Sequence, residues 1–194
     1  MSAVTWMKAN NDIEAQIDEL KSKQQKVQEE AFQKLYALSG EHPEVLYPFW
    51  DRFAEMLHGA EVSKPYWGIH IIANLARVDT DNRFDALFDV WFHELLNHES
   101  PVVSPHATEK SGKIVLARPE LEKRITPLLL NIGNTSHCRH LDLQQAYVLS
   151  ALDQYFDRVS DKEAVVTFIK EQLQSTSPKT RKKAKELMQK YHIS

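Results

Sequence analysis

Apolar residues along this chain recur every three or four positions in short stretches, each stretch carries a single stripe, and the stretches come in pairs. The clearest pair lies between Glu163 and Ile193. Val166, Ile169 and Leu173 share one side of a first helix, and Ala184, Leu187, Met188 and Tyr191 share one side of a second. A Ser/Thr/Pro turn joins them. Two helices of this length cannot cover both stripes between themselves, so the pair is expected to be one unit of a stack.

The same two-helix pattern runs through the rest of the chain. After an irregular head, Asn11 and Asp12 are expected to cap a short helix carrying Ile13, Ile17 and Leu20. A second helix places Val27, Ala31, Leu35 and Leu38 on one face and stops at Gly40. Phe49, Phe53, Met56 and Leu57 are followed, after the turn AEVSKP, by Ile69, Ile72, Leu75 and Ala76. In the third copy Asp79 to Asp81 are cap candidates. Phe88, Trp91, Phe92, Leu95 and Leu96 follow, then a turn from Asn97 to Pro101 and the stretch ATEKSGKIVLAR. The fourth opens at Pro119-Glu120 with Ile125, Leu128, Leu129 and Ile132. It stops at Gly133-Asn134 and continues through Leu143, Ala146, Leu149 and Leu152, and Asp161 caps the fifth copy.

The last apolar anchors of the five first helices are Leu20, Leu57, Leu96, Ile132 and Leu173, which lie 37, 39, 36 and 41 residues apart. A mean of about 38 is the period of stacked helix pairs and not of a heptad coil. Three turns within pairs share a chemistry: Ser63-Lys64-Pro65, Ser100-Pro101 and Ser177-Pro178. Serine there would cap the second helix and proline pre-set its first turn.

An apolar first helix, a short Ser/Asp/Pro turn and a second helix reading V-R-x-x-A-x-x-x-L-x-x-I resemble the HEAT repeat family. The match is best in QLQSTSPKTRKKAKELMQKYHI and looser in PELEKRITPLLLNI and YWGIHIIANLARV. The resemblance covers about residues 12 to 192 and identifies an architecture, not a particular protein. It implies an all-α, right-handed α-α superhelix: one solenoid domain over residues 1–194, with pairs at about 12–40, 43–79, 80–118, 119–158 and 161–192. The third copy departs from the pattern, because Lys110 and Lys113 fall where the family keeps apolar or small residues.

Composition supports the helical reading and narrows the function. Five glycines in 194 residues and little Val/Thr alternation leave sheet structure without support. The single cysteine, Cys138, has no internal disulfide partner, and no apolar run approaches the roughly 20 residues of a membrane span. The N-terminus lacks a signal-peptide layout. A cytoplasmic protein with no membrane contact is expected. A formal net charge of −3 makes no overall electrostatic case for nucleic acid.

In such a solenoid the second helices line the concave, binding side. Fixing the core on Ile69, Ile72, Leu75 and Ala76 leaves Trp67, His70, Asn74 and Ile71 on the free face of the second copy. The corresponding positions are His106, Glu109 and Lys113 in the third copy and Gln144, Gln145 and Tyr147 in the fourth. A protein or peptide partner held there, with no cofactor, no metal and no catalytic residue, is the first functional expectation. Simple packing of Trp67 against a neighbouring pair, with the rest solvated, is the plain alternative.

The chemistry-bearing motifs are sparse. His137-Cys138-Arg139-His140 has His-x-x-His spacing but lacks the second cluster that tetrahedral zinc needs. His93-Glu94 and His98-Glu99 resemble the His-Glu motifs of the HEAT-repeat deoxyhypusine hydroxylases, which hold a di-iron centre. Those motifs recur once per repeat, whereas these two lie five residues apart at a helix end and in the next turn. No phosphate loop, nucleophile elbow or His-Glu-x-x-His is present. The last helix carries a basic patch of Lys179, Arg181, Lys182, Lys183 and Lys185, with Lys190 beyond it, against Glu186 alone. A polar capping helix is the bland reading of that patch, and a contact to phosphate backbone or an acidic partner is the functional one. The second functional expectation is therefore a DNA-binding solenoid resembling the helical DNA-alkylation-repair glycosylases, which the clustering of basic residues at one end disfavours.

Overall fold

The structure is a computed structural model that describes the backbone of residues 3–193 and the side chains of residues 11–193. It is all-helical, with no strand among the described residues. The α-helices are α1 (Ala3–Glu19), α2 (Gln25–Glu41), α3 (Pro43–Leu46), α4 (Trp50–Met56), α5 (Ser63–Leu75), α6 (Val103–Ala117), α7 (Glu122–Leu130), α8 (Ile132–Thr135), α9 (Leu141–Tyr155), α10 (Lys162–Glu171) and α11 (Pro178–Lys190). Between α5 and α6 the chain takes a 3-10 turn over Arg83–Leu87 and a π-helical turn over Val90–Leu95.

Helices pack with their sequence neighbours, α1 on α2, α4 on α5, α7 on α9 and α10 on α11. The π turn lies on α6. The later helix of each pair also packs on its counterparts in the neighbouring pairs. The order is α2, α5, α6, α9, α11, in one contiguous row. Several hydrogen bonds between adjacent pairs therefore join residues 32 to 40 positions apart. Asn74 donates to Ser39, Ser160 to Glu122 and Tyr47 to Asp79. One continuous apolar core runs from Ile13 to Leu187.

The anchors Leu20, Leu57, Leu96 and Ile132 are buried, as are Ile69, Ile72, Leu75 and Ala76, because each stripe faces a neighbouring helix. Close approach is set at two glycines. A Cβ on Gly68 would lie 3.0 Å from the Phe53 carbonyl oxygen of α4, and one on Gly112 would lie 2.8 Å from the Ala151 carbonyl oxygen of α9.

Several boundaries differ from the sequence reading. α1 already runs at Ala3, so Asn11 and Asp12 lie inside it and not at its cap. Gly40 sits in the last turn of α2, and Gly133 lies inside the short α8. Asp161 caps α10 through the Ala164 N–H, and Ser177 caps α11 through the Thr180 N–H with Pro178 in the first turn. Ser100 accepts from the Val102 and Val103 N–H groups ahead of α6. Ser63 makes no such bond, because α5 begins at Ser63 itself and its first turn is entered from Val62. Asp79 takes the N–H groups of Arg83 and Phe84, each at 2.9 Å, which starts the 3-10 turn.

Replacing Gly112 by valine forces a branched side chain against the α9 backbone. A loss of about 1–3 kcal/mol is expected in urea unfolding, larger than for an alanine at the same position.

Candidate functional site

The face of the row turned away from α4 carries a set of partly exposed rings. Gly68 marks the α4 side of α5, and Tyr66, His70 and Asn74 lie on the opposite side at helical spacing. From α2 to α11 the rings follow one another. Tyr36 meets His70 at 5.2 Å, and His70 meets Tyr66 at 4.5 Å. Tyr66 meets His106 at 5.0 Å, and His106 meets Tyr147 at 6.0 Å. The Lys179 ammonium sits 4.0 Å from the Tyr147 ring centroid. Edge-to-face and tilted arrangements of this kind suit the ring quadrupoles, and the lysine adds a cation–π contact.

Polar groups tie the same face together below the rings. The Lys113 ammonium donates to Asn74 Oδ1, Asn74 Nδ2 donates to Ser39 Oγ at 2.8 Å, and Ser39 donates to the Tyr36 carbonyl at 2.7 Å. Arg77 donates to the Gly40 carbonyl at 2.6 Å. Lys110, its side chain only 12% exposed, lies 3.6 Å from Glu109. The structure thus brings His70, Asn74, His106, Glu109 and Lys113 into one neighbourhood.

Two sequence expectations need correction. Trp67 does not belong to this face. It is buried, stacks on Phe32 at 6.2 Å and lines a cleft of about 440 Å³ with Ile17, Leu20 and Met56. The cations at that cleft are already paired, Lys21 and Arg52 with Asp18 and Lys64 with Glu61. Gln144 is fully buried and not a surface residue. Its amide nitrogen lies within hydrogen-bond distance of the Leu96 carbonyl at 2.8 Å, of Thr108 Oγ1 at 3.1 Å and of Ser104 Oγ, which share its two N–H groups, and its carbonyl accepts from Ser136. The reason is common to both: helices inside the row are covered from two sides, which leaves a free face narrower than a helical wheel suggests. His70 and Asn74 are almost covered for the same reason, each 6% exposed.

The C-terminal basic residues are not one patch. Lys183 and Lys190 pair with Asp153 at 2.9 and 2.7 Å, and Arg181 donates to the Ser175 and Thr176 carbonyls. Lys182 and Lys185 are exposed, and only Lys179 joins the row of rings. A rotation of about 100° per residue distributes the five cations around α11. His93 lies 3.7 Å from Asp89, and His98 accepts the Ser100 N–H. Cys138 is buried, and His137 and His140 are exposed. Among the described residues no three His, Cys, Asp or Glu side chains gather as metal ligands, and no helix is long and apolar enough to cross a membrane.

The sequence reading places His70, His106 and Tyr147 on this face and misses Tyr36, Tyr66 and the contact of Lys179 with Tyr147. Tyr36, Tyr66 and Tyr147 recur at intervals of 30 and 81 residues, so no fixed period marks them. Their shared position on second helices was the only available signal.

Electrostatics at the centre of the face follow from burial. Burial pushes the His70 imidazole down to about 3, and Lys110, His106 and Lys113 push it further the same way. His106 is lowered by burial and by Lys110 and Lys179, against the opposing pull of Glu109. Both rings are neutral near pH 7, and the His70 Nε2 to His106 Nδ1 contact of 3.3 Å is a hydrogen bond between neutral imidazoles. His70 Nδ1 is buried without a partner.

Two outcomes follow. Gln144→Leu should lower stability by about 1–3 kcal/mol in urea, because buried partners lose their hydrogen bonds. Since the folded state holds His70 below its unfolded value of 6.5, folding excludes a proton, and stability is lost as pH falls from 6.5 towards 3. Urea midpoints of a His70→Phe variant should therefore decline less steeply than wild type between pH 7 and pH 4.5.

Comparison with protein-family models, with curated proteins and with solved structures finds no match to this chain.

Proposed function

We propose that this chain is a HEAT-like α-solenoid that acts without catalysis as a protein-interaction module, holding an extended peptide of a partner protein along the row α2, α5, α6, α9, α11. Five pairs over residues 12–40, 43–79, 80–118, 119–158 and 161–192 make up the solenoid. Support for the architecture comes from the ordered packing of the later helices and from hydrogen bonds that span 32 to 40 residues. A chain built by stacking one unit places equivalent residues side by side at the length of that unit.

The observation that carries the binding reading is the line of partly exposed rings Tyr36, Tyr66, His106 and Tyr147, which crosses four successive helices of one face with the buried His70 between them. Tyrosine and histidine rings give contact area at a low cost in side-chain entropy, and each keeps a polar atom to orient a ligand. No hydrogen bond occupies the phenol groups of Tyr36, Tyr66 or Tyr147 among the described residues. The row is also continuous, as an extended peptide requires.

A photo-reactive amino acid at Gln33 or Ser150 on the row should cross-link one protein in cells. The same group at Lys123, exposed on α7, should not capture it. Capture of that protein from Lys123 alone, or of nothing from the row, would remove the reading.

A further inference from the structure

Four cations gather on the row with a single carboxylate, Glu109, in ion-pair reach among the described residues. Arg77 follows α5, Lys110 and Lys113 lie on α6, and Lys179 lies on α11 beside Tyr147. Glu109 is the one carboxylate within ion-pair distance of any of the four among the described residues, and it reaches Lys110 alone. Lys113 rests on the neutral Asn74 amide, and Arg77 on the Gly40 carbonyl.

Arg181, half-buried, likewise rests on backbone carbonyls, but two other half-buried or buried cations are matched by carboxylates. Arg118 is surrounded by Asp79, Asp85 and Glu120, and Lys183 has Asp153. In a chain whose net charge is −3, a group of unmatched cations on an aromatic surface runs against the average composition. Like charges held close together and partly out of water repel, and an anion placed among them removes that cost. Burial lowers the Lys113 ammonium, Lys110 and Arg77 lower it further, and Glu109 opposes them. Beside the same lysines, His70, 94% buried by its 6% exposure, leaves Nδ1 unpartnered.

We propose that Arg77, Lys110 and Lys113 form an oxyanion subsite at the middle of the row, and that the occupant is an acidic, extended segment of a partner protein whose carboxylate or phosphate group enters it. This rests on the interaction reading above and names the chemistry of the partner. Arg77 supplies a planar fork of donors and the lysines supply compact charge, a combination suited to either oxyanion. The rings of Tyr66, His106 and Tyr147 form one line beside the charge, with Lys179 against Tyr147, so apolar or aromatic residues of the segment fit next to the acidic one. Five helices spaced about 8–10 Å apart make a row roughly 40 Å long. An extended chain of about 12 residues covers it.

Fluorescence anisotropy with four labelled peptide libraries of about 12 residues tests the assignment. One is fixed at its centre with Asp/Glu, one with phosphoserine, one with Asn/Gln and one with Lys/Arg. A single-stranded oligonucleotide of similar length is the fifth probe. The acidic or the phosphoserine library should bind at least about tenfold more tightly than the Asn/Gln library at about 50 mM salt, and the advantage should shrink as salt rises. The tighter of these two identifies which oxyanion is preferred.

Arg77→Gln and Lys113→Gln, made singly and together, should abolish the preference while Lys182→Gln with Lys185→Gln keeps it. Arg77 is exposed, so its variant tests the subsite without relying on a change in the interior. Equal binding of neutral and acidic libraries, no binding by any library, or an unchanged preference in the double variant overturns the subsite. Tighter binding of the oligonucleotide overturns the peptide as its occupant. Row cross-links at Gln33 and Ser150 that persist without a charge preference would remove this assignment alone, whereas their absence would remove the interaction reading beneath it.

Discussion

Each helix inside the row must satisfy two neighbours and a partner at once, and most of the structure follows from that demand. α5 packs on α2, α4 and α6, and its residues from Trp67 to Leu75 are buried without a break. A single amphipathic stripe cannot meet three surfaces. α5 therefore has apolar side chains on most of its circumference, a glycine where α4 comes close, and an asparagine and a histidine where it borders α2 and α6. α6 and α9 show the same solution with Gly112, Ser104, Thr108 and Gln144.

Polar groups buried between pairs act as position markers. Apolar ridges tolerate small slides along a neighbour, but an amide such as Gln144 is satisfied only at one register. Asp79 serves the next junction by accepting the Tyr47 hydroxyl and two backbone N–H groups beside Arg118. Glu122 serves another through Ser160 and Thr126, and Asp153 ties α9 to α11 through Lys183, Lys190 and Tyr191. Each junction has its own polar connection, and the connections differ in chemistry. Such variety resists mispairing between units of similar shape.

The exposed face of the row inherits its character from these junctions. Tyr36, Tyr66, His106 and Tyr147 stand at the lines where successive helices meet, so their rings touch across the boundary and stay partly open to solvent. Lys110 and Lys113 fall on the same line of α6, one and two turns beyond His106. Their departure from an apolar repeat pattern thus has a structural counterpart: both point along the free side of α6, while Ser111, Gly112, Ile114 and Val115 face the interior. Arg77 reaches the region from the end of α5, where it donates to the Gly40 carbonyl in the last turn of α2.

The all-helical content and the apolar positions are readable from the residues alone, because a period of 3.6 with few glycines and little alternation of β-branched residues leaves no competing structure. Asp161 and Ser177 were legible as caps for the equally local reason that a side-chain oxygen two or three residues before a free N–H meets it in any context. His70, Asn74, His106, Glu109 and Lys113 were legible as members of one face, since helical spacing alone groups them within each helix. How much of that face stays open depends on the packing of neighbouring helices. Trp67 turns to a cleft, Gln144 is enclosed, the C-terminal lysines divide among Asp153, solvent and Tyr147, and Arg77 joins Lys110 and Lys113. None of these outcomes is encoded within one helix. Each depends on which neighbour covers a side chain and on the charges that neighbour brings, and those are set only when the helices are packed.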